Sequence, residues 1–118
     1  MSLTLIGCLA EIRRLIRHGA DVNAKDDDGN TPLMMAETPE VVTLLIEAGA
    51  DVNAKNNISI TPLMAAICNA KTPEIVTLLI EAGADVNAKT KDGWRVLIFA
   101  QDYSTPEIFT LLIEAGAV

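Results

Sequence analysis

A seven-residue phrase, Gly-Ala-Asp-Val-Asn-Ala-Lys, occurs three times in this chain, beginning at Gly19, Gly49 and Gly83. The apolar stretch Leu-Leu-Ile-Glu-Ala precedes Gly49 and Gly83 and recurs before Gly116. The glycine spacings are 30 (19 to 49), 34 (49 to 83) and 33 (83 to 116), a period typical of stacked repeat proteins. Such arrays form extended surfaces that hold partners, and they rarely build a catalytic pocket.

The composition limits both the core and the class of partner. The 118 residues suffice for one domain, and 50% hydrophobic residues with only 3% aromatics predict a core of aliphatic side chains, which suits tightly stacked helices. The net charge is -7, so the chain is a poor match for nucleic acid, whose phosphates require a basic face. Residues 1–18 carry three Arg against one Glu, while the remainder carries six Lys or Arg against fifteen Asp or Glu.

The cysteines and the apolar runs bear on the compartment. Cys8 and Cys68 form no CxxC pair, and we expect two free thiols in a reducing compartment, the cytoplasm. No apolar run approaches the ~20 residues of a membrane span. Leu5-Ile6-Gly7-Cys8 resembles the lipid-attachment box of bacterial lipoproteins, but no basic residue precedes it and the segment is too short for a signal peptide. We therefore interpret the start as a truncated first helix.

Each repeat contains the signals of two helices and a turn. In the second full copy, Thr61 is a good N-cap and Pro62 fits the first helical position. Thr72-Pro73-Glu74 starts a second helix in the same way, and Gly83 ends it as a left-handed C′ residue. The link to the next unit contains Asp-Gly pairs at Asp28-Gly29 and Asp92-Gly93, which favour hairpin turns.

These motifs resemble the ankyrin repeat. The family pattern Asp-x-x-Gly-x-Thr-Pro-Leu-His, followed by a helix ending Leu-Leu and by Gly-Ala-Asp-Val-Asn-Ala, is similar to residues 26–54. The resemblance covers nearly the whole chain and implies an all-α solenoid of stacked antiparallel helix pairs joined by β-hairpin or turn loops. We expect a single domain, residues 1–118, in four units: a partial repeat at 1–18, a shortened repeat at 19–48, a repeat at 49–82 and a C-terminal repeat at 83–118.

The chain departs from the family pattern at several positions. Met34, Met64 and Ile98 stand where the family has a histidine that hydrogen-bonds to the Thr and to neighbouring backbone. These methionines either pack or line a forgiving apolar contact surface. Ser59 occupies the place of the turn glycines and tolerates positive φ poorly, so we expect another turn or a looser tip there. Arg95 replaces the capping Thr, at a cost of ~1 kcal/mol.

The first full repeat is also shorter. From Thr31 to Pro39 is eight residues, whereas Arg95 to Pro106 is eleven. A loss of three residues removes ~4.5 Å, close to one helical turn. We predict a notch in the groove wall around Ala36 and Glu37, either as a shaped binding surface or as tolerated drift in repeat length.

Both ends of the array lack a polar capping repeat. Solenoids normally end in a repeat with a polar outer face, but Pro106 to Ile113 is as apolar as the internal copies. Either the chain is a fragment of a longer array, or its end packs against another copy. The second alternative predicts self-association through the C-terminal repeat.

The sequence offers little chemistry. His18 lies at a helix end, a usual surface position. Asp26-Asp27-Asp28-Gly29 lacks the spacing and distal Glu of a calcium loop, so it is interpreted as a solvated tip. The resemblance also implies that Asn23, Asn53 or Asn87 could be hydroxylated, although bracing of the loop is preferred. We predict a non-enzymatic protein without cofactor or metal.

The resemblance places partner contacts at the hairpin tips and on the concave face of the first helices. Trp94 and Tyr103 are favoured anchors, because Trp and Tyr are enriched at binding hot spots. Ile58, Ile60 and Trp94 would form an apolar row, which either packs tip against tip or meets a partner. The full candidate set is Ile58, Ile60, Trp94, Tyr103, Met34, Met64, Ile98, Asp27, Asp28, Asn30, Asn57, Lys91 and Asp102. The predicted function is protein–protein interaction, and the alternatives are a structural or engineered array, or an accessory part of a longer ankyrin protein.

Overall fold

The computed structural model describes residues 9–68, 73–103 and 106–117, with side chains for 12–68, 73–100 and 106–117. These residues form seven α-helices: α1 Leu9–Arg17, α2 Pro32–Met35, α3 Pro39–Glu47, α4 Pro62–Cys68, α5 Pro73–Glu81, α6 Val96–Tyr103 and α7 Pro106–Glu114. The predicted all-α class is confirmed. The described ranges contain no strand, and their single isolated bridge joins Lys89 to Arg95, so the predicted hairpins are turn loops.

The helices form two layers. In the first, the inner layer, α4 packs against α2 on one side and α6 on the other. In the second, the outer layer, α3 packs against α1 and α5, and α5 packs against α7. Each inner helix also packs against the outer helix that follows it in the chain. The repeat period therefore gives a stack of helix pairs, as the sequence predicts.

Three helix starts within the described residues carry a Thr-Pro signal, and two of the three threonines make a cap bond. The Thr61 hydroxyl accepts a hydrogen bond from the Met64 N–H at 3.3 Å, and Thr38 accepts from Val41 at 3.3 Å. Thr31 makes no such bond, and within the described part of the chain its buried Oγ1 has no partner. A buried hydroxyl without a hydrogen bond loses its hydration without compensation. Thr31 therefore occupies the N-cap position without the side-chain bond that Thr61 makes one repeat later.

We expect Thr31→Val to raise the free energy of unfolding by about 1 kcal/mol, because it replaces an unsatisfied buried hydroxyl with a methyl group. The matched change Thr61→Val should lower it by about 1 kcal/mol, because it removes a cap. Urea denaturation of both variants measures whether the free energy of unfolding rises or falls in each. A loss of stability in both would show that the Thr31 hydroxyl has a partner after all.

The outer helices end in the same motif. Gly49 adopts φ 99°, the Gly49 N–H donates to Ile46 O, and the Ala50 N–H donates to Leu45 O at 2.9 Å. This is the Schellman pattern, which requires positive φ at its C′ residue. The same pair of bonds closes the helices at Gly19, Gly83 and Gly116, so the C′ role predicted for Gly83 is confirmed.

The shortening in the first full repeat falls on the inner helix. Helix α2 has 4 residues, whereas α4 has 7 and α6 has 8. The chain leaves α2 at Ala36, which is extended (φ -66°, ψ 135°) and buried, and Glu37 is exposed. The inner layer thus loses about one turn at the position that the sequence predicts.

The core lies between the layers and between successive repeats. Met34 and Met64 are 3% and 0% exposed. Their assignment to the partner surface is therefore wrong, because both side chains pack in the interior. The sequence allowed either packing or an apolar contact surface, and the structure agrees with packing. Ile98, at the equivalent position of the last repeat, is 39% exposed. We attribute the difference to stacking, since α4 packs on α2 and α6 packs on α4, whereas α6 is the last inner helix among the described residues.

Candidate protein-binding surface

Three tip loops project between the helix pairs: tip 1 (residues 26–30), tip 2 (56–60) and tip 3 (90–94). Each is closed by a backbone hydrogen bond from its first N–H to its last carbonyl, at 3.0, 3.0 and 2.9 Å. Each also has a backbone bond from its fourth residue to its first, at 2.9, 2.9 and 3.0 Å. The three tips therefore have one conformation despite their different sequences.

The first residue of each tip stabilises this conformation through its side chain. Asp26 Oδ1 accepts from the N–H groups of Asp28 and Asn30, both at 2.9 Å. Asn56 Oδ1 takes the same role in tip 2, at 3.0 and 2.9 Å, and Thr90 Oγ1 accepts from Trp94 N–H at 3.1 Å in tip 3. The Asp26 side chain thus forms hydrogen bonds within its own turn. The sequence analysis did not assign this role to Asn56, although an Asn whose side chain accepts from the N–H two residues later is a known turn signal.

The expectation that Ser59 gives tip 2 another turn or a looser one is wrong. Tip 2 is neither looser nor of another type: Ser59 adopts φ 66°, in the region where Gly29 and Gly93 have φ 81° and 84°. The hydrogen bonds of Asn56 hold the turn closed and force the serine into the left-handed region. That region costs a non-glycine residue roughly 1–2 kcal/mol.

Ser59→Gly should therefore raise the free energy of unfolding, by about 1 kcal/mol after the extra unfolded-state entropy of glycine is subtracted. Thermal or urea unfolding tests this. The control is Ser59→Ala, which keeps the strain and should give no gain. An equal free energy of unfolding for Ser59→Gly and Ser59→Ala would show that the gain does not come from relief of backbone strain.

Neighbouring tips are joined by hydrogen bonds. The Asn57 backbone N–H donates to Asp28 O and its side-chain amide donates to Asp27 O, both at 3.0 Å. The Asn56 amide donates to Asn30 Oδ1 at 2.9 Å. Tip 3 joins tip 2 through Lys91 N–H and Ile58 O at 3.5 Å. The Asn30 and Asn57 side chains therefore bond tip to tip, and the three tips form one continuous ridge.

A second set of bonds joins the repeats behind the tips. Asn23 accepts from the Asp51 N–H at 2.7 Å and donates to Gly49 O at 3.1 Å. Asn53 repeats the arrangement with Asp85 and Gly83, and Asn87 donates to Gly116 O at 3.3 Å. We name these three side chains the Asn ladder. They brace the next repeat, rather than the loop to which they belong.

Large apolar side chains are exposed on the ridge. Ile58 is 61% and Trp94 is 44% exposed, whereas Ile60 is half-buried and packs against the core. The exposed apolar row thus consists of two side chains rather than the three that were expected. Trp94 also lies against Phe99, with ring centroids 5.8 Å apart and planes tilted by 49°. This contact orients the indole while leaving much of it exposed.

The remaining candidates divide by position. Asp27, Asp28 and Lys91 are exposed on the ridge, beside the two apolar side chains. Met35, at the end of α2, is 46% exposed and belongs to the inner layer. Asp102 and Tyr103 belong to α6, but their side chains lie outside the described residues. The ridge therefore combines two apolar side chains with charges of both signs.

The groups that could carry chemistry lie at the ends of two different helices. His18 is exposed beyond the end of α1, and Cys68 is half-buried at the end of α4. Burial raises the pKa of the Cys68 thiol, so the thiol is protonated at neutral pH and is a poor nucleophile. Across the described residues, no three His, Cys, Asp or Glu side chains are arranged to hold a metal ion.

Comparison with known families agrees with this architecture. The family described as "Ankyrin repeats (3 copies)" matches residues 4–56 and 37–118. The chain belongs to the ankyrin-repeat family. Proteins of this family are generally non-enzymatic modules for protein interaction. A comparison with curated proteins gives no significant match.

The helices are short in relation to a bilayer. In the ranges that the structure describes, none has the length and apolar character needed to span a membrane.

Proposed function

We propose that this chain is a non-enzymatic protein-binding module whose partner contacts the ridge formed by the three tips. The observation that supports this most directly is the exposure of Ile58 and Trp94 on adjacent tips that are hydrogen-bonded together. Turn tips seldom need large apolar residues, and exposed apolar groups with a polar rim are typical of interaction sites. Asp27, Asp28 and Lys91 supply such a rim.

The rigidity of the ridge favours binding. Bonds within each tip and between tips fix the backbone before a partner arrives, so less conformational entropy is lost on association. Trp94 is held by Phe99, and a partly exposed indole is a favoured hot-spot side chain. We further propose a reducing compartment such as the cytoplasm, which suits the free thiol of Cys68.

Affinity capture from the source-cell lysate tests the proposal, with wild type beside Ile58→Ser/Trp94→Ser. The matched control is Ile113→Ser, which alters an isoleucine that is 49% exposed on an outer helix. A protein captured by wild type and by the control, but lost from the double variant, would support the ridge as the binding surface. Equal capture by all three would overturn it. Circular dichroism must show that each variant keeps the helical fold.

A second candidate is self-association through the last repeat. Ile98 and Ile113 are 39% and 49% exposed on α6 and α7. Sedimentation equilibrium over a range of concentrations tests it, because Ile98→Ser/Ile113→Ser should lower the average mass of an associating protein. A wild type that stays monomeric at the highest concentration would rule the candidate out.

A further inference from the structure

A groove with a volume of about 740 Å³ runs across the outer layer. Its lining comes from four helices, α1, α3, α5 and α7, and thus from every repeat. Ligand-binding clefts typically measure 300–1,000 Å³, so the groove is large enough for a peptide segment. It lies on the layer that carries neither the tips nor the inner helices, so it is independent of the function proposed above.

Repetition makes the floor of this groove apolar. Leu44, Leu78 and Leu111 are the sixth residues of α3, α5 and α7, and each is half-buried. The next residue in each helix is a fully buried leucine, which fills the core. The sixth position therefore leaves part of its surface uncovered in each of the three repeats, and the partly covered leucines follow one another along the groove.

The rim is acidic with the same period. Glu40, Glu74 and Glu107 are the second residues of the same helices, and all three are exposed. With Glu47 they place four carboxylates around the groove, against the single guanidinium of Arg13, a net charge of -3. This sign agrees with the charge of -7 on the whole chain. Such a rim attracts basic partners and repels acidic ones.

The spacing of the carboxylates defines the shape of the occupant. Packed helices lie 8–10 Å apart, so equivalent residues of successive outer helices recur at about that distance. A polyproline II chain rises about 3.1 Å per residue with three residues per turn, and returns to the same side every ~9.3 Å. We propose that the outer groove binds an extended, polyproline II-like segment of a partner protein with Arg or Lys at every third residue. Its intervening apolar side chains lie on the leucine floor.

The position of Arg13 gives the groove a direction. Arg13 belongs to α1, whereas the carboxylates belong to α3, α5 and α7, so one end is basic and the rest acidic. A uniformly basic peptide is repelled at the α1 end. Removing this charge should therefore tighten binding, while removing a carboxylate should weaken it.

The test uses fluorescein-labelled (Arg-Pro-Leu)₃ and measures its dissociation constant by fluorescence anisotropy. Glu74→Gln should weaken binding about two- to fivefold, within the range for a single exposed charge pair. Glu40→Gln/Glu74→Gln/Glu107→Gln should weaken it further, and Arg13→Gln should strengthen it. The matched control is Glu81→Gln, which removes an exposed carboxylate from the same helix but outside the groove. It should leave binding unchanged, as should Trp94→Ser, which alters the ridge. Raising the salt concentration should weaken binding.

Several results would overturn the proposal. One is an equal loss of affinity in Glu81→Gln and Glu74→Gln, which would indicate attraction to net charge alone. Another is equal binding of a peptide of the same composition with its three Arg residues adjacent. Tighter binding of a helical peptide with Arg seven residues apart would replace the extended occupant with a helix. Absence of saturable binding at millimolar peptide would exclude the site.

Discussion

Gly29→Ala should cost about 2–5 kcal/mol of unfolding free energy, while the matched change Gly93→Ala should cost only about 1–2 kcal/mol. Both glycines have positive φ, at 81° and 84°, so both variants bear the strain of a left-handed alanine. Only at Gly29 does the new methyl meet a neighbour. It would lie 2.6 Å from Asn57 Oδ1 and 2.9 Å from Asn57 N, whereas nothing lies within 4 Å at Gly93.

The difference between the two variants measures the packing of tip 1 on tip 2. The Asn57 side chain can rotate away, but its backbone N–H is fixed by the bond to Asp28 O. Relief therefore requires the two tips to separate. Urea denaturation with a shared m-value gives both losses on one scale. Equal losses would mean that the tips are not in contact in solution.

Met64→Ala should lower the free energy of unfolding by about 2–5 kcal/mol, because it leaves a cavity at a position that is 0% exposed. Ile98→Ala, at the equivalent position of the last repeat, should cost about 1 kcal/mol, because its side chain is already 39% exposed. Truncation at the same repeat position thus lowers the free energy of unfolding by different amounts in the two repeats. Thermal unfolding measured by circular dichroism compares them directly. A similar cost at both positions would contradict the attribution of the burial to the following repeat.

The sequence predicts the fold well because its signals are local and repeated. The Thr61 cap, the Gly83 helix end and the short α2 all follow from a few neighbouring residues, and the structure agrees with each. The Thr31 hydroxyl shows the limit of that reasoning: it has the same local sequence as Thr61 and no partner. Burial and hydrogen bonding there depend on packing across repeats, which a local motif does not encode.

The candidate surface could be predicted only in part, for the same reason. Met34 and Met64 looked available because they follow Thr-Pro-Leu on the inner helix, yet both are buried. Ser59 looked incompatible with the turn because serine tolerates positive φ poorly, and the sequence analysis did not recognise that Asn56 stabilises tip 2 as Asp26 stabilises tip 1. The outer groove went unnoticed, because its floor consists of helix residues that a periodicity assigns to the core.

The Asn ladder explains how the chain tolerates repeats of unequal length. Asn23 spans the shortened repeat and Asn53 spans the next one, which is four residues longer between its glycines (34 against 30). The bonds that they make are nevertheless nearly identical, 3.1 and 2.7 Å against 3.0 and 2.7 Å. Each set of Asn-ladder bonds involves only the loop before a helix pair and the turn after it. The helices between can therefore shorten without changing how one repeat packs on the next. In this architecture the contour of the inner face can vary from unit to unit while the pitch of the stack stays constant.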